Sequence, residues 1–221
     1  ESGDDWKGLR RAGRIAHLTL DALEAHVRPG VSTADLDAVA ARLFATHGAR
    51  SAPALVYRFP GTVLTSVNDE VVHGIPGPRR LAAGDLVKLD VTVEKDGYIA
   101  DAARSVIVES GSDLATQLGA CARDAFAAAL AVARAGTKVN AISRAVETTV
   151  RARGFTVMRG LTGHGVGRAI HEAPSVPNHY DPWQRDVLTD GLVLTIEPII
   201  SAGSARISLS NPKPSRCGMC R

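Results

Sequence analysis

Leu86-Val87-Lys88-Leu89-Asp90-Val91-Thr92-Val93-Glu94-Lys95-Asp96-Gly97-Tyr98-Ile99-Ala100-Asp101 decides the architecture. From Leu86 to Glu94 the residues alternate, with Val87, Leu89, Val91 and Val93 on one face and Lys88, Asp90, Thr92 and Glu94 on the other, which is the period of a strand. Asp96-Gly97 is a strong two-residue hairpin signal and pairs Lys95 with Tyr98. On that register Asp101 falls opposite Thr92 and Asp90 opposite Ala103. The two aspartates then leave the same face as diagonal neighbours, roughly 7 to 8 Å apart at the backbone. They could converge on metal ions, since a cation relieves the repulsion between two carboxylates. The competing reading makes this the solvated face of an ordinary hairpin.

Helix pairs lie on both sides of the hairpin. Between Asp4 and Val27, Trp6, Leu9, Ile15, Leu18 and Leu23 recur at mostly helical spacings, with Asp4 or Asp5 as cap, and Pro29-Gly30 ends the helix. Ser32 or Thr33 caps a second helix with a stripe of Leu36, Val39, Ala40, Leu43 and Phe44, ending at Gly48. The grammar repeats in an Ala-rich helix from about Leu114 to Arg134, a break at Gly136, a helix through Ile142, Val146 and Val150, and a stop at Gly154. Gly30 and Gly136, Leu36 and Ile142, and Gly48 and Gly154 are each 106 residues apart. Glycine after a helix is common, so coincidence competes, but three pairs in register favour an internal duplication. Each half also has a His-x-x-Pro turn, His73 to Pro76 and His171 to Pro174, followed by an acid in an apolar strand, Asp90 and Glu197. Halves brought face to face would gather these groups into a central site.

Glu197 sits between Leu192-Val193-Leu194-Thr195-Ile196 and Pro198-Ile199-Ile200, where an unpartnered carboxylate is costly, so a metal or a basic partner is expected. His164 lies in Gly163-His164-Gly165-Val166-Gly167, whose glycines admit close approach by backbone or ligand. A lone histidine is more often a surface or satisfied core residue than a ligand. Together, two histidines and three acids suit Mn, Fe, Co or Zn better than calcium.

The bulk properties exclude other classes. With 221 residues, 45% of them hydrophobic, the chain can bury a substantial core. No apolar run approaches the roughly 20 residues of a membrane span, and no signal peptide opens the sequence, so a cytoplasmic protein is expected. The net charge of +3 does not mark a nucleic-acid face: Arg206, Lys213, Arg216 and Arg221 account for four positive charges, leaving the rest at −1. Three cysteines, Cys121, Cys217 and Cys220, do not make a disulfide framework, and one C-x-x-C pair lacks the second ligand pair of a zinc ribbon. The sequence opens at Glu1 rather than Met, so a preceding stretch is expected.

Asn68 to Pro76, Leu89-Asp90-Val91-Thr92-Val93 with Asp101 beyond it, Gly163-His164-Gly165-Val166-Gly167 to Pro174, and Thr195-Ile196-Glu197-Pro198 together resemble the motif series of type I methionine aminopeptidases, in order and at family-like spacing as far as Gly203. The resemblance implies an α/β pita-bread fold, with duplicated helix pairs packed on a curved, mainly antiparallel sheet. It would span residues 1–203, with half-repeats of about 1–110 and 111–203. It also implies two divalent ions (Co, Mn, Fe or Zn) held by Asp90, Asp101, His164 and Glu197, with Asp101 bridging. His73 and His171 would contact the scissile peptide, and Glu197 would help to activate water. Tyr57, Phe59, Leu64 and Ile170 stand nearest the methionine pocket, although Val56-Tyr57-Arg58-Phe59-Pro60 departs from the family pattern. The implied partners are nascent polypeptide N-termini at the ribosome, met by a monomer that binds neither membrane nor nucleic acid directly.

Family members continue past Gly203 through a hairpin and a strand with a second bridging Glu. Here Ser204 to Arg221 is rich in Ser, Pro and Arg, with no carboxylate after Glu197. The sequence therefore predicts a truncated, frameshifted or divergent end, a disordered tail over 204–221, one ion in place of two and impaired turnover. Two other functions compete: a non-catalytic binding module of the same fold, and an X-Pro dipeptidase, against which His73-Gly74-Ile75-Pro76 argues.

Overall fold

The computed structural model describes residues 3–207; most of the 204–221 tail, with Cys217 and Cys220, lies outside them. In chain order the elements are α1 (Gly3–His26), α2 (Thr33–His47), β1 (Arg50–Ser51), α3 (Ala52–Tyr57), β2 (Leu64–Val67), β3 (Leu86–Lys95), β4 (Tyr98–Ile107), α4 (Asp113–Val132), α5 (Val139–Ala152), β5 (Thr156–Val157), β6 (Thr162–Gly165), β7 (Glu172–Pro177) and β8 (Ile200–Ser201). They form two compact units. Among the described residues, the first runs up to Ser112 and includes Gly167–Ile170, and the second comprises Asp113–Val166 and residues 171–207. Both units are mixed α/β with antiparallel pairing, as the expected pita-bread fold requires. No helix among the described residues is long and apolar enough to cross a membrane.

In the first unit β3 is the central strand, with β4 along one edge and β2 and β1 along the other. Asp96 and Gly97 both have positive φ, 52° and 81°, as a tight hairpin turn with the right-handed strand twist requires. The resulting register pairs Lys95 with Tyr98 and Thr92 with Asp101, as the sequence predicts. Val87, Leu89, Val91 and Val93 are fully buried under α1 and α2, which contribute Ile15, Ala16, Leu20, Leu23, Leu36, Ala40 and Phe44. Truncating Leu23 or Leu36 to Ala in such a core costs about 2–5 kcal/mol. The opposite face of β3 is not the solvated surface of an ordinary hairpin, because Thr92 and Glu94 are buried as well.

Ser32, not Thr33, is the cap of α2. Its hydroxyl accepts from the Asp35 amide and the Asp35 carboxylate accepts from the Ser32 amide, a capping box.

In the second unit Cys121, Ala125 and Ala129 of α4 meet Val139, Ile142, Val146 and Val150 of α5. The small α4 residues at i, i+4 spacing give the bulkier stripe of α5 room to close on them.

The two units repeat the same connection. In the first, Gly30 donates to the Leu81 carbonyl at 2.8 Å, Leu81 to Val31 at 2.8 Å and Thr33 to Arg79 at 2.9 Å. In the second, Gly136 donates to Leu188 at 2.8 Å, Leu188 to Thr137 at 2.8 Å and Val139 to Asp186 at 2.9 Å. Gly30 and Gly136 share a φ of 85°, a left-handed conformation in which a Cβ would be strained. Matching bonds at matching offsets are what a duplicated chain retains, although Lys138 at the start of α5 makes no side-chain cap.

The apolar strand expected around Glu197 is the main correction. Among the described residues, 191–199 hold a single bridge, Gly165 to Leu194. The segment does hydrogen-bond on both sides, Thr195 to the His164 carbonyl, Val166 to that of Val193 and Met158 to that of Ile199. Pro198 has no N–H to continue a ladder, so the pairing is interrupted where the acid sits. The short helix α3, with Pro53 in its first turn, and the short strands β5 to β8 had no sequence signature of their own.

Candidate metal centre

Asp90 and Asp101 stand on the hairpin of the first unit. Cross-strand partners share a face, so Leu64 of β2, Asp90 of β3 and Ala103 of β4 form one row, with Thr92 and Asp101 in the next. Thr92 Oγ1 donates to Asp101 Oδ1 at 3.1 Å, which fixes one carboxylate oxygen. Both aspartates are half-buried. Lys88, on the same face, donates to the Asn68 carbonyl, and burial pushes its ammonium down to about 8, against the pull of Glu70 and Asp69.

His73 has a φ of 59°, a left-handed conformation in which histidine is enriched several-fold among non-glycine residues. Its neighbour Gly74 is clamped on β2, accepting from the Thr65 amide at 2.9 Å and donating to Ser66 Oγ at 2.9 Å. A Cβ at Gly74 would lie 2.1 Å from the Thr65 carbonyl oxygen, so only glycine fits the turn that carries His73.

Of the pocket candidates, Phe59, Leu64 and Ile170 are buried and Tyr57 is half-buried; burial raises the Tyr57 hydroxyl above its usual range. Asp37 of α2 accepts from the amides of Thr62 at 2.6 Å and Val63 at 2.9 Å, holding the approach to Leu64. The segment containing Ile170 is anchored to the hairpin. Ile99 donates to the Gly167 carbonyl at 2.7 Å, and the Arg168 guanidinium lies 3.7 Å over the Tyr98 ring while bonding Asp5 at 2.7 Å.

In the second unit His164 and Glu197 meet directly, with His164 Nε2 3.3 Å from Glu197 Oε1. His164 Nδ1 lies 2.9 Å from the Gly165 carbonyl oxygen. A carbonyl can only accept, so Nδ1 carries a proton and Nε2 of the neutral ring keeps the lone pair that could bind a metal. An imidazole lone pair beside a carboxylate oxygen calls for a proton or a metal cation to share. The donor set therefore fits a first-row divalent ion. His171 packs edge-on against the His164 ring, with centroids 4.3 Å apart, so these two sequence candidates do come together. Glu197 is less enclosed than its apolar surroundings suggested, with 32% of its side chain exposed.

The glycines around His164 admit backbone. A Cβ at Gly163 would lie 2.4 Å from the Thr195 carbonyl oxygen, and one at Gly165 2.3 Å from that of Ala173. Thr195 went unmarked in the sequence, although its position two residues before Glu197 was the available signal. Its Oγ1 donates to Glu197 Oε1 at 2.6 Å and accepts from the His164 amide at 2.9 Å.

Residues 7–211 match the family model of metallopeptidase family M24. The chain belongs to that family. Methionine aminopeptidase 2 of Bacillus subtilis is 42% identical over 203 residues, spanning 91% of this chain and 82% of the relative. The crystal structure of methionine aminopeptidase from Rickettsia prowazekii superposes with a TM-score of 0.91 at 34% identity, covering 96% of this chain and 86% of that one. The prolidase from Pyrococcus horikoshii, at 22% identity and a TM-score of 0.77 over 90% of this chain and 55% of its own, shares the fold alone. Within the M24 peptidases the likeness is thus to the methionine aminopeptidases.

Proposed function

We propose that this chain is a metal-dependent aminopeptidase that releases N-terminal methionine from nascent polypeptides. The observation that carries the reading is the His164–Glu197 pair, with Nε2 presented to Oε1 at 3.3 Å and Nδ1 tied to a backbone carbonyl, in a chain of the methionine aminopeptidase type. We assign Asp90, Asp101, His164 and Glu197 as ligands of divalent ions drawn from Co, Mn, Fe or Zn, with Asp101 shared between positions. Such ions supply Lewis-acid polarisation and an acidified water.

The rest is the work of this chain's own residues. His171, in contact with the His164 ring, and His73, on its clamped turn, are assigned to hydrogen-bond the scissile peptide and the tetrahedral species that follows. Glu197 is assigned to take a proton from the attacking water on a carboxylate oxygen. Leu64 adjoins Asp90 across the ladder, which supports an apolar first-residue pocket beside the ligand, lined also by Tyr57, Phe59 and Ile170. A monomer acting in the cytoplasm, where nascent N-termini leave the ribosome, suits that substrate.

Peptide assays test the reading. With cobalt or manganese supplied, Met-Ala-Ser should lose its methionine while Ala-Pro remains intact. Cleavage of Ala-Pro with Met-Ala-Ser untouched would replace this function with a dipeptidase, and metal-independent inertness toward both would favour a binding module.

A further inference from the structure

We propose that Thr195 is the positioning residue for the His164–Glu197 pair, tying the Glu197 carboxylate to the His164 backbone in the orientation in which the two side chains share one cation. The inference rests on the reading of His164 and Glu197 as metal ligands.

The bond pattern leaves the hydroxyl one role. Thr195 is buried, with 8% exposure, and its Oγ1 has a single proton to give. The Glu197 Oε1 atom lies at 2.6 Å and the His164 carbonyl oxygen at 3.4 Å. The carboxylate oxygen is the nearer of the two acceptors and carries the charge, so the hydroxyl proton goes to it. The distance is that of a charge-assisted O–H···O⁻ bond. In return Oγ1 accepts from the His164 amide at 2.9 Å. One hydroxyl thus connects the backbone of one ligand to the carboxylate of the other.

The backbone cannot do this alone. Glu197 lies in the segment whose pairing is interrupted at Pro198, and a glutamate side chain has three torsions to fix. The imidazole is oriented by the bond between Nδ1 and the Gly165 carbonyl, and the Thr195 hydroxyl restrains the carboxylate through Oε1. Outer partners of this kind typically change metal affinity by about 10- to 100-fold when mutated.

The test titrates Co(II) into the EDTA-dialysed full chain, followed by calorimetry and by the visible absorption of bound cobalt. Thr195→Val should weaken binding about 10- to 100-fold and alter the cobalt spectrum, whereas Thr195→Ser, which keeps the hydroxyl, should restore both. Thr195→Cys, close in size but a weak donor, is the second variant and should resemble Val even if Val folds poorly. His164→Ala separates the two layers of the argument. If it leaves cobalt affinity unchanged, the ligand assignment itself fails. If it abolishes binding while the folded Val or Cys variant binds like the native chain, Thr195 has no positioning role.

Discussion

Asp101 lies diagonally across the β3–β4 ladder from Asp90, and Thr92, directly opposite Asp101, donates to its carboxylate. One oxygen of Asp101 is thereby oriented by its own side-chain bond. If Asp101 serves two metal positions and Asp90 one, Asp101→Asn should cost more metal affinity than Asp90→Asn. We expect at least a tenfold greater loss, about 1.4 kcal/mol, in a calorimetric titration of the apo-protein with Mn(II) or Co(II). Equal, small losses would mean that the hairpin acids only decorate the strand.

Removing metal should lower thermal stability, because an ion that binds the folded chain and not the unfolded one stabilises by mass action. At a free-ion concentration of about 100 times Kd the gain is about 2.7 kcal/mol. For a chain of this size that corresponds to roughly 5–10 °C in Tm. Scanning calorimetry with and without EDTA checks it, and His164→Ala should lose the metal-dependent part while keeping the EDTA baseline. A Tm indifferent to metal would count against the site.

The hairpin was legible down to its register because Asp96-Gly97 fixes the turn and a period of two fixes the face; a slip of one residue would have put Val87 to Val93 in water. The duplication was legible because Gly30 and Gly136 need the same left-handed turn. What failed was local. The run from Leu192 to Ile200 is apolar enough for a strand, but hydrophobicity does not report the missing N–H of Pro198 or the 32% exposure of Glu197. Gly163 and Gly165 were ambiguous between ligand and backbone approach, and only the positions of the Thr195 and Ala173 carbonyls decide it. Thr195 stood in view two residues before Glu197, but its role did not, because nothing in Thr-Ile-Glu states where a hydroxyl proton goes.

Those glycines give a prediction with an internal control. Gly163→Ala and Gly165→Ala each force a Cβ to within 2.4 Å or 2.3 Å of a carbonyl oxygen, and backbone cannot rotate away as a side chain can. Each should cost about 1–3 kcal/mol or more and weaken metal binding by displacing His164. Gly13, inside α1 with nothing within 4 Å of a built Cβ, should behave oppositely. Ala there should stabilise by about 1 kcal/mol. Urea midpoints read all three; stabilisation by Ala at all three sites would show that the strands around His164 yield.

The last prediction concerns acid sensitivity at the hairpin turn. Glu94 is buried on the polar face of β3; its carboxylate accepts from Arg50 Nε at 2.7 Å and from the Gly97 amide at 2.8 Å. The bond from Arg50, helped by the Gly97 amide, holds the carboxyl below its ordinary 4.5 although burial pulls the other way. The folded state therefore releases the Glu94 proton more readily than the unfolded one. The stability this contributes is complete above about 4.5 and is lost as pH falls through the lower folded value. Glu94→Gln keeps the shape and an acceptor for Gly97 but carries no charge to titrate. It should be less stable than the native chain at about pH 7, and the gap should narrow as pH falls toward about 3. Arg50→Ala should move the native acid transition upward, because burial then acts on the carboxylate with its main partner gone. Urea midpoints across that range provide the measurement, and a Glu94→Gln gap that stays constant with pH would show that the residue acts through shape and not through charge.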